Sequence, residues 1–124
     1  MFEVNRSVLV LRPKQAFVDW LFSLPFSWDT KVVNLAQLQH DCNALLIPPA
    51  EHIEDVQKFI RQHWHALLQA ELLDWCEDST LWPEKITQNL FSQWFDITLH
   101  SVLTDWDKAP LECVAFSPLD TRLK

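Results

Sequence analysis

The order of apolar and polar residues near the start of the chain predicts a strand that runs into a helix. Residues Ser7–Arg12 are mostly aliphatic and β-branched, which is typical of a β-strand. Pro13 cannot continue a strand ladder but is tolerated in the first turn of a helix, and apolar residues follow at helical spacing over about Lys14–Leu24. This helix is expected to end before Pro25, and a short strand is expected over Lys31–Val33.

The middle of the chain carries the strongest helical pattern. Asn34 followed by Gln37 is typical of a capping box and predicts a short helix through about His40. Residues Ala44–Ile47 are all apolar, which predicts an inner strand covered on at least one side. From Glu51 onward, apolar residues recur at steps of three and four over roughly 25 positions, which predicts a long amphipathic helix.

The last third of the chain predicts a helix followed by strands. Pro83 is expected to open a helix that ends near Asp96. Residues Ile97–Thr104 alternate between apolar and polar side chains, which predicts a half-buried strand. A further antiparallel strand is expected over Leu111–Phe116, and the residues from Ser117 on are expected to be loose.

This order of elements predicts a single compact domain over residues 1–124, of the α/β or α+β class. Strands separated by helices favour right-handed crossovers, and therefore a small, mostly parallel or mixed sheet of three or four strands. The long helix and two or three shorter helices are expected to pack on that sheet. The result is a two-layer domain.

Glycine is absent from the 124 residues, whereas average usage would give roughly 9. Phosphate-binding loops, dinucleotide-binding fingerprints and nucleophile elbows depend on glycine for positive φ or for close approach of a ligand, so the sequence disfavours these classes of site. Turns must be made by Pro, Asn, Asp or Ser. Helices must end without a glycine cap.

The negative charge is concentrated in one region of the chain. The formal net charge is −7, and nine acids against two bases within Glu71–Glu112 account for all of it. Nucleic acid is disfavoured as a partner because binding to its backbone requires a basic surface. A basic protein partner or self-association is favoured instead.

The compartment that the sequence indicates is the cytoplasm. The longest aliphatic runs span four residues, which excludes a membrane span, and the N-terminal residues lack the basic start and apolar stretch of a secretory leader. The cysteines Cys42, Cys76 and Cys113 are far apart and form no Cys-x-x-Cys pair. We therefore expect reduced, mostly buried thiols, with no metal and no cofactor.

Several segments resemble, in a general way, those of small bacterial proteins. The resemblance rests on Val4–Ser7 before the first strand, Pro13–Lys14 after it, and on Asp74–Cys76, Leu81–Pro83 and Trp94–Asp96. It implies a bacterial origin and no particular activity or residue role.

One candidate site is a small-ligand or anion site, or the site of a minor enzyme activity, at the carboxyl ends of the strands. Arg12 and Lys14 follow the first predicted strand, where open α/β sheets bind ligands. Glu51, Asp96 and His100 complete the candidate set. The alternative is that the two cations pair with the acidic region inside the fold, and that His100 is a structural hydrogen-bonding residue.

The other candidate is a protein-binding surface, and it is the preferred hypothesis: an interaction module rather than an enzyme. Four of the seven tryptophans lie on helical apolar faces and are expected in the core: Trp20, Trp64, Trp75 and Trp94. The other three, Trp28, Trp82 and Trp106, lie in predicted loops, and Trp82 and Trp106 with the nearby Asp78, Asp105 and Asp107 form the candidate surface. The alternative is that these loop tryptophans cover the ends of the core. An enclosed pocket holding Arg12 and His100 would favour the ligand site, and an exposed patch of both loop tryptophans would favour the module.

Overall fold

A computed structural model describes residues 1–115 of this chain. Its strands and helices are, in chain order, β1 (Phe2–Val4), β2 (Ser7–Pro13), α1 (Gln15–Ser23), α2 (Leu35–His40), β3 (Asn43–Ile47), α3 (Ile53–Trp75), a 3₁₀ turn (Ser79–Leu81), α4 (Gln88–Trp94), β4 (Phe95–His100) and β5 (Leu103–Asp105). The strands form a three-stranded sheet of order β3-β2-β4 and a two-stranded sheet of β1 and β5. No helix among these residues has the length and apolar character needed to cross a membrane.

All strand pairs are antiparallel and the five strands form two sheets, so the expectation of one mostly parallel or mixed sheet is wrong and the fold is α+β. The cause lies in the connections, which return the chain to the end of β2. Gln39 in α2 donates from its side-chain amide to the Pro13 carbonyl at 2.9 Å, so β3 begins where β2 ends. The Lys14 N–H donates to the Trp94 carbonyl at 2.7 Å, so β4 begins at the same place.

The predicted helix after Pro83 begins later than expected. Residues 83–87 are not helical, and α4 starts after Thr87, whose hydroxyl accepts the Leu90 N–H at 3.1 Å. At its other end, α4 passes into β4 without a loop, because the capping residue Phe95 is already extended. No residue among 1–115 has a positive φ, which confirms that helices and turns here form without glycine geometry.

Four predicted strands differ from the structure, and one of them, Ile97–Thr104, is divided between β4 and β5. Residues Lys31–Val33 form a turn, in which the Asp29 carbonyl accepts the N–H groups of the last two. The predicted inner strand Ala44–Ile47 corresponds to β3, which lies at the edge of the sheet with Leu46 52% exposed. Residues 111–115 are not a strand, and the expectations for Phe116 and the residues beyond it lie outside the described part of the chain.

The two sheets are separated by a short stretch without strand pairing. The pairs Val4↔Leu103 and Val8↔His100 are separated by three residues on the β1–β2 side and by two on the β4–β5 side. Ser7, which is 1% exposed, lies at this point.

The helices cover only one face of the sheet. In β2, Leu9 and Leu11 point into the core, whereas Val8 and Val10 are half-buried on the opposite face. On the covered side, the aromatic residues of α1, α4 and β4 form one cluster, in which Phe17 lies 5.3 Å from Trp94 and 5.2 Å from Phe95 between ring centroids. Trp94 is buried, and Trp20, Trp64 and Trp75 are half-buried against the core, in agreement with their predicted positions.

Loss of the Ser7 hydroxyl should destabilise the fold. The hydroxyl accepts the Ala50 N–H at 2.8 Å and donates to the Ser101 carbonyl at 3.0 Å. Ser7→Ala leaves the buried Ala50 N–H without a partner, so we expect the free energy of unfolding to fall by about 1–3 kcal/mol in urea denaturation. The control Ser92→Ala lies on the exposed side of α4 and should change it by less than about 0.5 kcal/mol. Equal effects of the two substitutions would contradict this role of Ser7.

Candidate functional site

The pairing of β2 with β4 brings together three of the five residues predicted to bind a small ligand. Arg12 lies opposite Asp96 in the strand register, and Lys14 comes directly after β2. The Lys14 Nζ atom lies 3.3 Å from Asp96 Oδ1 and donates to the Ser92 carbonyl at 3.0 Å. Lys14 is therefore paired with a member of the acidic region within the fold itself.

His100 shares the uncovered face of the sheet with Arg12. It is exposed, pairs with Val8 and lies four residues further along β4 than Asp96. A depression of about 370 Å³ is lined by both Arg12 and His100, but it is open to solvent. The Arg12 guanidinium donates to Gln39 Oε1 at 3.2 Å, so this cation also has a partner within the chain.

Glu51 does not belong to this group. It precedes α3, and its backbone N–H donates to the Asp55 carboxylate at 3.1 Å. The neighbouring Ala50 is bonded to Ser7 at the start of β2, whereas Arg12 lies near the end of that strand. Ligand residues gather at the carboxyl ends of strands only where the strands are parallel. Here the end of β2 meets the beginnings of β3 and β4.

Trp82 and Asp78 belong to the turn that follows α3. The Trp82 side chain is half-buried and packed against the core, and its indole N–H donates to the Cys76 carbonyl at 2.9 Å. The Asp78 carboxylate accepts the N–H and hydroxyl of Thr80, at 3.0 and 2.6 Å, and so caps the 3₁₀ turn. These residues stabilise the end of the core.

Trp106 has different surroundings from Trp82. It follows β5 directly and is 80% exposed. The carboxylates on either side of it accept backbone N–H groups two residues further on: Asp105 from Asp107 at 2.9 Å, and Asp107 from Ala109 at 3.1 Å. These bonds order the backbone around an indole that is open to solvent.

A cavity that no sequence pattern predicts is bounded by the helices α1 and α2, the end of β2 and the end of α3. We call it the Glu71 cavity; its volume is about 190 Å³. Its lining combines apolar and acidic residues: Leu11, Pro13, Phe17, Leu38, Asp41, Cys42, Asn43, Glu71, Asp74 and Trp75.

The carboxyl group of Glu71 is the most unusual group in this cavity. Glu71 is only 8% exposed, and Asn43 donates to its Oε1 atom from the side-chain amide at 2.7 Å. Burial, reinforced by the nearby charge of Asp74, raises its pKa to about 7, although the bond from Asn43 acts in the opposite direction. A carboxyl group with a pKa near neutrality in a cavity is a recognised mark of a functional site.

The sequence contained a signal for Glu71 that composition alone does not show. Glu71 lies three residues after Leu68 and four before Trp75, so it occupies the apolar stripe of the long helix. An acid inside an apolar stripe is rarely fully buried without a partner. The partner, Asn43, is 28 positions away in β3, and no local pattern indicates that contact.

The cysteines and the other potential metal ligands are dispersed. Within residues 1–115, no three His, Cys, Asp or Glu side chains are grouped so that they could hold a metal ion. The cysteines are free: Cys76 is buried and Cys42 is half-buried, but Cys113 is exposed, contrary to the expectation of mostly buried thiols. Cys113 lies beyond β5, outside the packed helices and strands.

Comparison of this chain with protein-family models, with curated proteins and with solved structures finds no match. A function for this chain therefore has to be inferred from its own geometry and charge.

The raised pKa of Glu71 should make the fold less stable as pH increases. Between the ordinary value of 4.5 and about 7, the folded chain holds a proton that the unfolded chain has lost, so the free energy of unfolding falls across this range. The total loss from this group is about 3 kcal/mol. Glu71→Gln removes the titration, so the variant should match the wild type at pH 4 and exceed it in stability at pH 8.

Urea denaturation of both chains at several pH values measures this difference. Glu77→Gln is the matched control, because Glu77 is exposed just beyond α3. A difference between wild type and Glu71→Gln that stays constant from pH 4 to pH 8 would contradict the titration.

Proposed function

We propose that this chain is a cytoplasmic protein-interaction module that binds a basic partner over Trp106. The observation that supports it is that Trp106 is 80% exposed and has an aspartate on either side of it in the sequence. A large aromatic side chain held on an ordered backbone provides much contact area at little entropic cost, and tryptophan is enriched among the residues that dominate binding energy.

Other exposed apolar side chains lie near Trp106 along the chain and the strand pairing. Phe2 pairs with Asp105 and is 67% exposed, and Val102, which precedes β5, is 62% exposed. We call Phe2, Val102 and Trp106, with the acids beside them, the ribbon surface. Each of these side chains adds exposed apolar area at the two-stranded sheet.

The charge of the ribbon surface favours a basic partner. Glu3, Asp105 and Asp107 carry three negative charges there, and Lys108 is the cation next to them in the chain. A partner with basic side chains would be steered toward this surface, whereas nucleic acid would be repelled. The net charge of −7 for the whole chain acts in the same direction.

The small-ligand alternative has less support. The depression beside Arg12 and His100 is open, and both cations predicted to bind an anion have partners: Lys14 bonds to Asp96, and Arg12 bonds to Gln39. An anion would have to compete with these bonds. No comparable internal bond engages the ring of Trp106 among the described residues.

Labelled peptides of alternating sequence test the proposal by fluorescence anisotropy. A peptide that alternates Arg and Leu should bind. A peptide of equal charge that alternates Arg and Ser, and a peptide of equal hydrophobicity that alternates Glu and Leu, should both bind much more weakly. Trp106→Ala should weaken Arg–Leu binding about 30-fold, as expected for a residue that contributes about 2 kcal/mol. The combined substitution of Asp105→Asn and Asp107→Asn keeps the side-chain oxygens that accept the backbone N–H groups but removes two negative charges, so it should also weaken binding. Added salt should weaken binding in the same way, because it screens the charges.

Phe22→Ala is the matched control, because Phe22 is 44% exposed on α1, which lies outside the ribbon surface. It should leave binding unchanged. Equal binding of the Glu–Leu peptide, or binding that survives Trp106→Ala, would overturn the proposal. A concentration-dependent dimer in sedimentation that Trp106→Ala abolishes would identify a second copy of the chain, and not a basic partner, as the occupant.

A further inference from the structure

We propose that the Glu71 cavity binds a small primary amine with an apolar body, with the ammonium group on Glu71 and the body against the apolar wall. This site is separate from the ribbon surface, and the proposal does not depend on the function assigned to Trp106. It rests on an available carboxylate oxygen, on the charge of the lining, and on the shape and chemistry of the wall.

The carboxylate of Glu71 has one oxygen available to a ligand. Among residues 1–115, the only hydrogen bond to this group comes from Asn43, to Oε1. Every fully buried side-chain nitrogen or oxygen in the same part of the chain has a hydrogen-bond partner. The Oε2 atom has none, so it is not fully enclosed by protein, and the cavity that Glu71 lines gives access to it.

The lining favours a cation over an anion or a neutral molecule. Asp41 and Asp74 line the same cavity as Glu71, and none of the ten lining residues is a Lys, Arg or His. The amide of Asn43 lies between two of these acids, 2.7 Å from Glu71 Oε1 and 3.4 Å from Asp74 Oδ2. An ammonium group would neutralise this excess and donate the charge-assisted hydrogen bonds that a carboxylate accepts.

The remaining walls fit a short apolar chain. Leu11, Phe17 and Leu38 provide apolar contacts, and the indole of Trp75 adds an aromatic wall of the kind that attracts cations. The volume is about 190 Å³, which accommodates an alkylamine of about six non-hydrogen atoms.

The ionisation of Glu71 gives this site a specific pH dependence. Burial raises the pKa of Glu71 to about 7, so the empty cavity holds a protonated carboxyl group in acid and a carboxylate in mild alkali. The other titratable groups that face the cavity are Asp41, Cys42 and Asp74. An ammonium ion binds the carboxylate, so its affinity should be about tenfold higher at pH 8 than at pH 6.

Three probes with the same five-carbon chain separate charge from hydrophobicity: pentylamine, 1-pentanol and pentanoate. Each is titrated into the full-length protein, and the NMR signals of the Asn43 side-chain amide and the Trp75 indole are followed. At pH 8, pentylamine should bind at least about tenfold more tightly than pentanol, and pentanoate should not shift these signals. Equal affinities for the three probes, or preference for pentanoate, would overturn the proposal.

Two substitutions locate the binding. Glu71→Gln preserves the shape of the side chain and an acceptor for Asn43 but removes the charge, so pentylamine affinity should fall to that of pentanol. Glu77→Gln, which alters an exposed acid outside the cavity, and Trp106→Ala, which alters the ribbon surface, should each leave it unchanged. Pentylamine affinity that is unaffected by Glu71→Gln would overturn the proposal. If that variant does not fold, the pH comparison on the wild-type chain decides: equal affinity at pH 6 and pH 8 would reject binding to Glu71.

Discussion

The antiparallel pairing of β2 with β3 on one side and β4 on the other is the constraint on which the rest of the structure depends. Because both neighbours begin where β2 ends, one end of the sheet collects the last residues of β2 and the first residues of two other strands. Arg12 and Asp96 meet there on the uncovered face, and Leu11 and Asn43 meet there on the covered face, where the Glu71 cavity forms. A parallel sheet would have separated these residues.

The way in which the helices end shapes the same region. The helices α1, α3 and α4 all end at a residue in extended backbone, and after α4 this residue, Phe95, is already the first residue of β4. The Lys14 N–H then bonds to the Trp94 carbonyl, which holds the start of α1 against the end of α4. This direct passage positions Lys14 near Asp96, with which it forms a salt bridge.

The segment before Ser7 connects this sheet to the proposed partner-binding surface. Beyond it, β1 pairs with β5 as a second, two-stranded sheet. Trp106 follows β5 in that second sheet, whereas Arg12 lies near the end of β2 in the first. The two tryptophans that the sequence placed in one candidate surface differ in exposure because they lie in different parts of the fold. Trp82 follows α3 and packs on the core, whereas Trp106 lies beyond the last strand.

The sequence by itself determined the elements whose signals are local. The long helix, the Asn34 cap, the strand β2, the core positions of four tryptophans and the lack of positive φ could all be predicted, because each depends on spacing or on residue type within a few positions. Only the tertiary structure decided the direction of the strands, the partner of Lys14, the exposure of Trp106 and the contact between Asn43 and Glu71. Each of these depends on which distant segments meet, and the free energy of that choice comes from burial and hydrogen bonds that are distributed over the whole fold.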